Sequence, residues 1–460
     1  MPEFPEVNVV IKKLELRTLG RTIKSVEVLR EQTIEGDVDH FKKTLEGATI
    51  SSFEQVGKFI VFHLSNKHVI ISHLRMEGKY FFKEEDAPLT KHDLVVFHFV
   101  DNTKLVYNDT RRFGRMSVES ESNYRDVPPL CNVGPNPFEM KDASLLEKAY
   151  KNKSIAIKTA LLDQSIMAGL GNIYTDEVFF ITKVHPETPA KLVSRSKLEE
   201  ILKVSRQVLE AAMKAGGSTI HSFASDGIAG DFQVQLQVYG KNGDCCPRCG
   251  TEFRKIFVNG RGTTYCPKCQ KNPGIPLLFG VTGPIGAGKS TVSQLIAKHG
   301  FKVLDCDKIV HGLYKTKEMQ DKLSHLIPDI KIVNGDIDRP WLKSYLIKFP
   351  NKKKQLEKIV HKEVVEVVEN ELKHSKQPVV VEAAFLFETD LHLLCDKTIF
   401  VNVDQKKQFS NLESRNDDVG KAILLNSNFD YSNMKKATYV IINDKDIANL
   451  EKQVNSIFDK

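Results

Sequence analysis

A glycine-rich loop at residues 283–291 limits the possible folds of this chain more than any other segment does. It reads Gly-Pro-Ile-Gly-Ala-Gly-Lys-Ser-Thr, follows an apolar strand-like run at 277–282, and opens a predicted helix over Ser290–His299. In this context a loop binds phosphate, because backbone N–H groups surround the phosphate oxygens at the helix N-terminus. The loop therefore predicts a nucleotide-binding domain.

Residues beyond the loop alternate between helix and strand patterns. Helical periodicity at Lys353–Leu372 precedes a strand run at Pro378–Glu382, and another apolar run covers Lys397–Val403. Such alternation is typical of a parallel sheet. We predict that Lys289 contacts the β- and γ-phosphates and that Ser290 binds Mg²⁺. The remaining ATP contacts are expected from Gly283, Gly286, Ala287, Gly288 and Thr291.

Two Cys-x-x-Cys pairs lie shortly before this loop, in a segment with few apolar residues. Paired knuckles supply the four thiolates that Zn²⁺ prefers, and a segment without a core needs such a metal to fold. A redox pair or incidental cysteines would not explain two matched pairs. We predict one zinc ion bound by Cys246, Cys249, Cys266 and Cys269. Cys245 is excluded by its spacing, and the isolated Cys131, Cys306 and Cys395 are expected to be buried.

The N-terminal half has a different organisation. Residues 1–120 contain short strand-like runs, preceded by a helical pattern at 7–18; the runs include Ser52–Leu64, His68–Leu74, Leu94–Val100 and Leu105–Asn108. Their alternation is typical of half-buried antiparallel strands. From Ser144 to about Ala215 the period is helical, with a tight turn at Gly169–Asn172. Helix, glycine turn and helix is found in nucleic-acid-binding proteins and also in ordinary helical corners.

Composition excludes some functions and leaves others open. The 460 residues include 27% charged and 41% hydrophobic residues, with a net charge of +7. No run approaches the ~20 apolar residues of a membrane span, and the N-terminus lacks the pattern of a secretory signal. We therefore expect an intracellular protein without a membrane partner. The charge is too balanced to indicate nucleic-acid binding by itself.

The N-terminal sequence Pro2-Glu3-Phe4-Pro5-Glu6-Val7 is a poor start for regular structure. A frayed terminus is one interpretation. The functional interpretation is an exposed amine, since a Met before Pro is readily removed. An α-amine with a pKa near ~7.7–8.0 is partly neutral at pH 7 and can attack a sugar C1′ to form an iminium.

Residues 1–271 closely resemble formamidopyrimidine-DNA glycosylase, the bifunctional lyase for oxidised purines. The matching stretches are Pro2–Val7, Gly57-Lys58, His73–Gly78, Asn108–Gly114, Ala156–Lys158, Leu162–Gln164, Gly169–Tyr174, Gly216–Thr219, Gln237–Gly240 and the two knuckles. Phe4 and the triplet Arg111-Arg112-Phe113 favour the purine branch over the sister branch, endonuclease VIII.

This resemblance implies roles for individual residues. Pro2 is the expected nucleophile, Glu3 shuttles protons during sugar ring opening, and Lys58 assists β-elimination and contacts phosphate. Arg261 assists δ-elimination from the zinc hairpin. The expected wedge, which replaces the everted nucleotide in the stack, consists of Met76, Arg111 and Phe113. Phosphate contacts are expected from His92, Lys153, Lys158 and Asn172.

Residues 277–460 resemble dephospho-CoA kinase. The matching stretches are Thr282–Thr291, Val303–Asp307 with His311, Ile337–Arg339, Leu356–His361, Leu386–Glu388 and Leu393–Asp396. The resemblance implies that Asp307 orients or deprotonates the attacking ribose 3′-hydroxyl, while His361 and Glu388 shape the pocket. The sequence departs from the family at Glu382 and Ala384, and in the lid, where Asn416 follows Arg415 and residues 421–428 supply neither Arg nor Gln.

The expected protein is therefore multidomain. We predict an N-terminal β-sandwich catalytic domain (1–135), a helix-two-turn-helix DNA-binding domain (136–235), a zinc finger (236–271) and an α/β P-loop kinase domain with a parallel sheet (277–460). The implied partners are double-stranded DNA with oxidised purines, dephospho-CoA and ATP, for a monomeric, cytoplasmic bacterial enzyme. Two alternatives stay open: a C-terminal module that binds nucleotide without turnover, and an N-terminal half that only binds lesions.

Overall fold

The computed structural model describes residues 2–217, 235–413 and 431–458, which form two units, Met1–Gly274 and Ile275–Lys460. Each unit has its own buried apolar clusters. Within the described ranges, no helix combines the length and apolar character that crossing a bilayer requires.

The first helix, α1 (Phe4–Thr18), begins three residues earlier than its apolar pattern predicts. The reason is local: the Glu6 carboxylate accepts a hydrogen bond from the Glu3 backbone N–H at 2.8 Å, which satisfies a free donor at the helix start. Proline is compatible with this first turn because its missing N–H would be unpaired there in any case. The odd N-terminal sequence is therefore a helix start.

Eight antiparallel strands build the β-sandwich: β1 (Ile23–Val28), β2 (Ile50–Val56), β3 (Phe59–Leu64), β4 (His68–His73), β5 (Lys79–Glu84), β6 (Asp93–Phe99), β7 (Thr103–Asn108) and β8 (Arg115–Ser120). They form two four-stranded sheets, ordered β1-β6-β7-β5 and β2-β3-β4-β8. Side chains of both sheets share one apolar cluster with α1 and with α2 (Val38–Leu45).

The run 52–64 contains two strands where one was expected. Gly57 has φ +57°, and the turn at Gly57-Lys58 separates β2 from β3. Glycine adopts this backbone region without the steric cost of a Cβ. The turn places Lys58 at the end of the β2–β3 hairpin, where its ammonium group reaches the helical part of the unit.

Among the described residues, four helices follow the sandwich: α3 (Ser144–Tyr150), α4 (Ile157–Leu161), α5 (Asn172–Thr182) and α6 (Arg195–Lys214). They bury a second apolar cluster. The cysteine-rich segment forms an antiparallel hairpin of β9 (Arg254–Val258) and β10 (Arg261–Tyr265). The tight turn at Gly169–Asn172 leads directly into α5.

The second unit contains a five-stranded sheet with the order β12-β15-β11-β16-β17, in which all strands are parallel. Its elements are β11 (Leu278–Thr282), α7 (Lys289–Ala297), β12 (Lys302–Asp305), α8 (Cys306–Leu313), α9 (Lys317–Leu326), β13 (Ile332–Val333), β14 (Asp336–Ile337), α10 (Arg339–Lys348), α11 (Pro350–His374), β15 (Val379–Glu382), α12 (Leu391–Leu394), β16 (Lys397–Asn402), α13 (Gln405–Glu413), β17 (Tyr439–Ile442) and α14 (Ile447–Phe458). The predicted parallel α/β sheet is confirmed.

Candidate active sites

The Glu3 carboxylate lies at the N-terminus of α5. It accepts hydrogen bonds from the backbone N–H groups of Gly171 at 2.7 Å and Ile173 at 2.9 Å, and its residue is only 2% exposed. A Cβ at position 171 would lie 2.3 Å from the Glu3 carboxyl carbon, so only glycine permits this approach. Pro2 is buried beside it in the chain. The N-terminal residues are thereby fixed against a helix that begins far along the sequence.

Burial determines the ionisation of the two charged groups in this site. It raises the pKa of Glu3 to about 7, although the Lys58 charge opposes the shift. Burial lowers the pKa of Lys58 to about 8; the Glu3 charge raises this pKa and the Arg261 charge lowers it. The Lys58 ammonium donates to the Leu170 carbonyl at 2.7 Å. Burial therefore moves both pKa values towards neutral pH, as acid–base catalysis favours.

Two acidic residues to which the sequence analysis assigned no role hold this site together. The Glu6 carboxylate accepts from the Glu3 backbone N–H and from the Tyr174 hydroxyl. The Glu177 carboxylate accepts from three consecutive backbone N–H groups, those of residues 237–239, at 2.8–2.9 Å. The only sequence signal for Glu177 is an acid within the apolar run of α5.

The expected wedge residues project from two adjacent turns. Met76 is 38% exposed and Phe113 is 50% exposed, and the Arg111 guanidinium lies 5.1 Å from the centre of the Phe113 ring. The buried Asp109 carboxylate accepts from the backbone N–H groups of Arg111, Phe113 and Gly114 at 2.8–2.9 Å. An exposed aromatic side chain on a turn held by three hydrogen bonds, as Phe113 is, suits insertion between bases.

The side chains expected to contact phosphate differ in how accessible they are to a DNA backbone. His92 is half-buried, Lys153 is partly exposed and lies 3.8 Å from Asp163, and the Asn172 amide donates to the Gly262 carbonyl at 2.9 Å. Lys158 differs from the expectation. Its ammonium is fully buried and donates to Asp176 at 2.5 Å and to Thr263 at 2.8 Å, so it is not available to phosphate in this structure.

The cysteine cluster has the geometry of a structural zinc site. The Sγ atoms of Cys246, Cys249, Cys266 and Cys269 all lie within 4.8 Å of one another. Cys245 is exposed and outside the cluster. Four thiolates at these separations fit one Zn²⁺. Of the isolated cysteines, Cys306 and Cys395 are buried as expected, but Cys131 is exposed because it lies in a short surface turn, Leu130–Asn132.

The zinc hairpin is joined to the helices by buried polar contacts. Asp176, which pairs with Lys158, also accepts from the backbone N–H of Thr264 at 3.0 Å. The Gln270 side chain donates to the Val184 carbonyl at 2.9 Å. Arg261 begins β10, so the position of its guanidinium depends on this docking.

The phosphate loop between β11 and α7 requires its glycines. Gly283 and Gly288 have φ values of +150° and +91°, and a Cβ at these positions would lie 2.3 Å from the Val401 carbonyl oxygen and 2.4 Å from the Asn443 amide. Side-chain amides of Gln408, Asn411 and Asn443 donate to the loop carbonyls of residues 285–287 at 2.6–2.9 Å. Sequence motifs did not identify these three residues. These three contacts hold the loop backbone in place through its carbonyls.

Side chains of the kinds used in phosphoryl transfer lie at the phosphate loop. The Lys289 ammonium donates to the carbonyls of Gly283 at 3.1 Å and Pro284 at 3.2 Å. The Ser290 hydroxyl donates to the Glu382 carboxylate at 2.7 Å, so both oxygen ligands suited to Mg²⁺ are adjacent. Partial desolvation and Asp305 raise the pKa of Asp307, and Lys289 lowers it. The lid positions Arg415, Asn416 and 421–428 lie outside the described residues.

Comparison with known proteins identifies both units. Family models match the formamidopyrimidine-DNA glycosylase N-terminal domain (1–116), its H2TH domain (133–224), and the zinc finger found in FPG and IleRS (243–272). The formamidopyrimidine-DNA glycosylase of an Exiguobacterium species is 45% identical over 275 residues, 59% of this chain and all of that protein. The chain belongs to the formamidopyrimidine-DNA glycosylase family.

Another relative and a solved structure match the same part of this glycosylase-family chain. The enzyme of Lactobacillus delbrueckii subsp. bulgaricus is 41% identical over 274 residues, 59% of this chain and all of the relative. The crystal structure of Lactococcus lactis Fpg with DNA containing an abasic site matches with a TM-score of 0.55 at 38% identity, over 59% of this chain and all of that one.

The rest of the chain matches a different family. The dephospho-CoA kinase model matches residues 277–449. The two resemblances predicted from the motifs are therefore confirmed, as is the fold class. The zinc finger match and the cysteine cluster agree on one Zn²⁺, and the kinase domain implies ATP with Mg²⁺.

Replacing Lys158 should destabilise the glycosylase unit far more than replacing Lys153. We expect Lys158→Met to cost about 3–5 kcal/mol, because it leaves the Asp176 carboxylate buried without its cation. Lys153→Ala should cost less than about 1 kcal/mol, because its ion pair is exposed. Thermal unfolding of both variants measures the difference. Equal losses would contradict the buried-pair interpretation.

Removing one zinc ligand should disable lesion cleavage without affecting ATP binding. We expect Cys246→Ser to lose its zinc and to reduce strand cleavage at least roughly tenfold, because the position of the Arg261 guanidinium depends on the hairpin. Metal analysis, strand-cleavage assays and ATP titration measure the three quantities. The matched control is Cys245→Ser, which should keep all three. Zinc loss in this control alone would show that the ligand assignment is wrong.

Proposed function

We propose that this chain is a bifunctional enzyme. Its first unit excises oxidised purines such as 8-oxoguanine and formamidopyrimidines from double-stranded DNA and cuts the strand by β,δ-elimination. Its second unit transfers the γ-phosphoryl group of ATP to the ribose 3′-hydroxyl of dephospho-CoA. The observation that carries the first proposal is the buried set of Pro2, Glu3 and Lys58 at the N-terminus of α5.

The excision mechanism begins once Met1 is removed. The neutral Pro2 amine attacks C1′ of the damaged nucleotide, and the C1′–N bond to the base breaks with its electron pair going to the base. The base takes up a proton, and the Pro2 nitrogen loses the proton that it carried. Protonated Glu3 donates to the sugar ring oxygen, so the C1′–O4′ bond opens and an iminium forms between Pro2 and C1′. Support for Glu3 as the donor comes from its pKa of about 7, which keeps it partly protonated at neutral pH.

Strand cleavage follows from the same intermediate. Loss of the C2′ proton expels the 3′-phosphate by β-elimination, and a second elimination expels the 5′-phosphate. Lys58 and Arg261 supply positive charge for the departing phosphates. The wedge residues Met76, Arg111 and Phe113 offset the stacking that is lost when the nucleotide leaves the duplex. His92, Lys153 and Asn172 are proposed to set the register on the backbone, and Lys158 to act through the hairpin it holds.

The kinase proposal depends on the residues around the phosphate loop. The loop N–H groups and Lys289 bind the phosphates, and Ser290 and Glu382 would hold the Mg²⁺ that neutralises the developing charge. Asp307 accepts the proton of the 3′-hydroxyl as its oxygen attacks the γ-phosphorus and ADP leaves. The raised pKa of Asp307 supports this role, because a more basic carboxylate is a better proton acceptor.

Single-turnover excision of 8-oxoguanine opposite cytosine tests the repair proposal. We expect a one-nucleoside gap with phosphate at both ends and a bell-shaped pH profile. The active form needs Glu3 protonated, with a pKa of about 7, and the amine neutral, with a pKa near ~7.7–8.0. The rate should therefore rise up to about pH 7, where more amine becomes neutral, and fall above about pH 8, where Glu3 has lost the proton it must donate. A duplex with guanine is the control. A rate that rises steadily to about pH 9 would contradict the role of Glu3.

A further inference from the structure

The kinase unit contains a cationic group whose role the phosphate loop does not explain. Arg339 begins α10, and its guanidinium donates to Nε2 of His311 at 2.6 Å. Within the described parts of the chain, Arg339 has no carboxylate partner; the acid beside the pair, Asp336, lies 3.8 Å from His311. Arg339 is exposed. An unneutralised guanidinium, oriented by a neighbouring ring, is suited to binding an anion.

The position of this pair relative to Asp307 suggests which anion binds. Asp307 and His311 are four residues apart on α8, so they share one face of the helix about one turn, ~5.4 Å, apart. Asp307 also lies near enough to Lys289 for that charge to lower its pKa. A row of charged and polar groups therefore runs from the phosphate loop along α8. It begins at Lys289, passes Asp307 and ends at the His311–Arg339 pair.

We propose that Arg339, oriented by His311, binds the diphosphate of the acceptor and thereby selects a nucleoside that carries a 5′-diphosphate over one without it. The inference depends on the kinase function proposed above. In the acceptor, the ribose 3′-hydroxyl and the 5′-diphosphate are on opposite sides of one sugar ring. With the hydroxyl at Asp307, the diphosphate lies about one helical turn away, where the guanidinium can form two parallel hydrogen bonds to its oxygens.

The test compares acceptors with and without the diphosphate. Equilibrium binding of dephospho-CoA and of adenosine is measured with the full chain, its Arg339→Ala and Arg339→Lys variants, and Lys343→Ala, an exposed cation on the same helix. We expect Arg339→Ala to weaken dephospho-CoA binding roughly tenfold to hundredfold. Adenosine and ATP binding should stay within about twofold. Arg339→Lys should be intermediate, since lysine keeps the charge without the planar fork.

Each outcome separates this inference from the kinase proposal. If Arg339→Ala weakens dephospho-CoA and adenosine equally, or weakens neither, the diphosphate assignment is wrong even if the parent chain is an active kinase. If the parent binds dephospho-CoA but forms no ADP, the kinase proposal fails, and the binding difference still decides the role of Arg339. If Arg339→Ala unfolds at the same temperature as Lys343→Ala, a folding defect is excluded as the cause of its weaker binding.

Discussion

Borohydride should trap this chain covalently on duplex DNA containing 8-oxoguanine opposite cytosine, and acetylating the N-terminal amine should abolish the adduct. The reason is chemical: an iminium between Pro2 and C1′ is reduced to a stable amine, whereas a glycosylase that uses water leaves nothing to reduce. The adduct is measured as a band of higher mass in a denaturing gel. Retained Met1 or Pro2→Gly should reduce or redirect trapping.

The trapping experiment must also exclude a second amine as the nucleophile. Lys58 is the other buried amine of the site, and its pKa of about 8 leaves part of it neutral near pH 8. Lys58→Met with a free N-terminus should still be trapped, although its strand cleavage should slow. The acetylated chain could still be trapped strongly, and the adduct could then disappear when Lys58→Met is added. That pair of results would show that Lys58, and not Pro2, is the nucleophile.

Lys289→Ala should abolish phosphorylation of dephospho-CoA while base excision stays within a few-fold of the parent. Lys289 places its ammonium within the phosphate loop, where it is expected to contact the transferred phosphoryl group, so its loss should lower the rate on the order of a hundredfold or more. The glycosylase site lies in a unit with its own cores and its own cysteine cluster. ADP release and 8-oxoguanine excision are measured on the same preparation.

The expected independence of the two activities has a clear limit. A change in excision of about tenfold, on the order of 1.4 kcal/mol, in Lys289→Ala or with saturating ATP would show that the units communicate. The matched control is Lys298→Ala, which removes an exposed cation at the other end of the same helix and should leave both activities unchanged.

The sequence predicted the elements with strong local signals. The strand, glycine loop and helix at 277–299 and the cysteine spacing both lead directly to the observed geometry, because each depends on residues near one another in the chain. Local signals also explain the error at 52–64. The apolar alternation continues through Gly57, and only its φ of +57° reveals two strands.

Most parts of the site that the sequence did not predict depend on contacts between residues far apart in the chain. The Glu3 carboxylate binds backbone N–H groups at 171 and 173, and the loop carbonyls at 285–287 bind side chains from α13 and from Asn443. Asp109 supports the wedge turn by accepting three N–H bonds, a role that no residue pattern displays. Lys158 illustrates the opposite case: its motif suggested phosphate, but the fold places it in a buried pair with Asp176.

ADP formation by the intact parent chain, supplied with ATP, Mg²⁺ and dephospho-CoA, tests the bifunctional account most directly. The account predicts ADP and coenzyme A in equal amounts from a preparation that also cleaves 8-oxoguanine duplexes, with no ADP when dephospho-CoA is left out. Nucleotide binding without acceptor-dependent ADP would contradict it. In that case the second unit would be a nucleotide-binding module attached to a repair glycosylase.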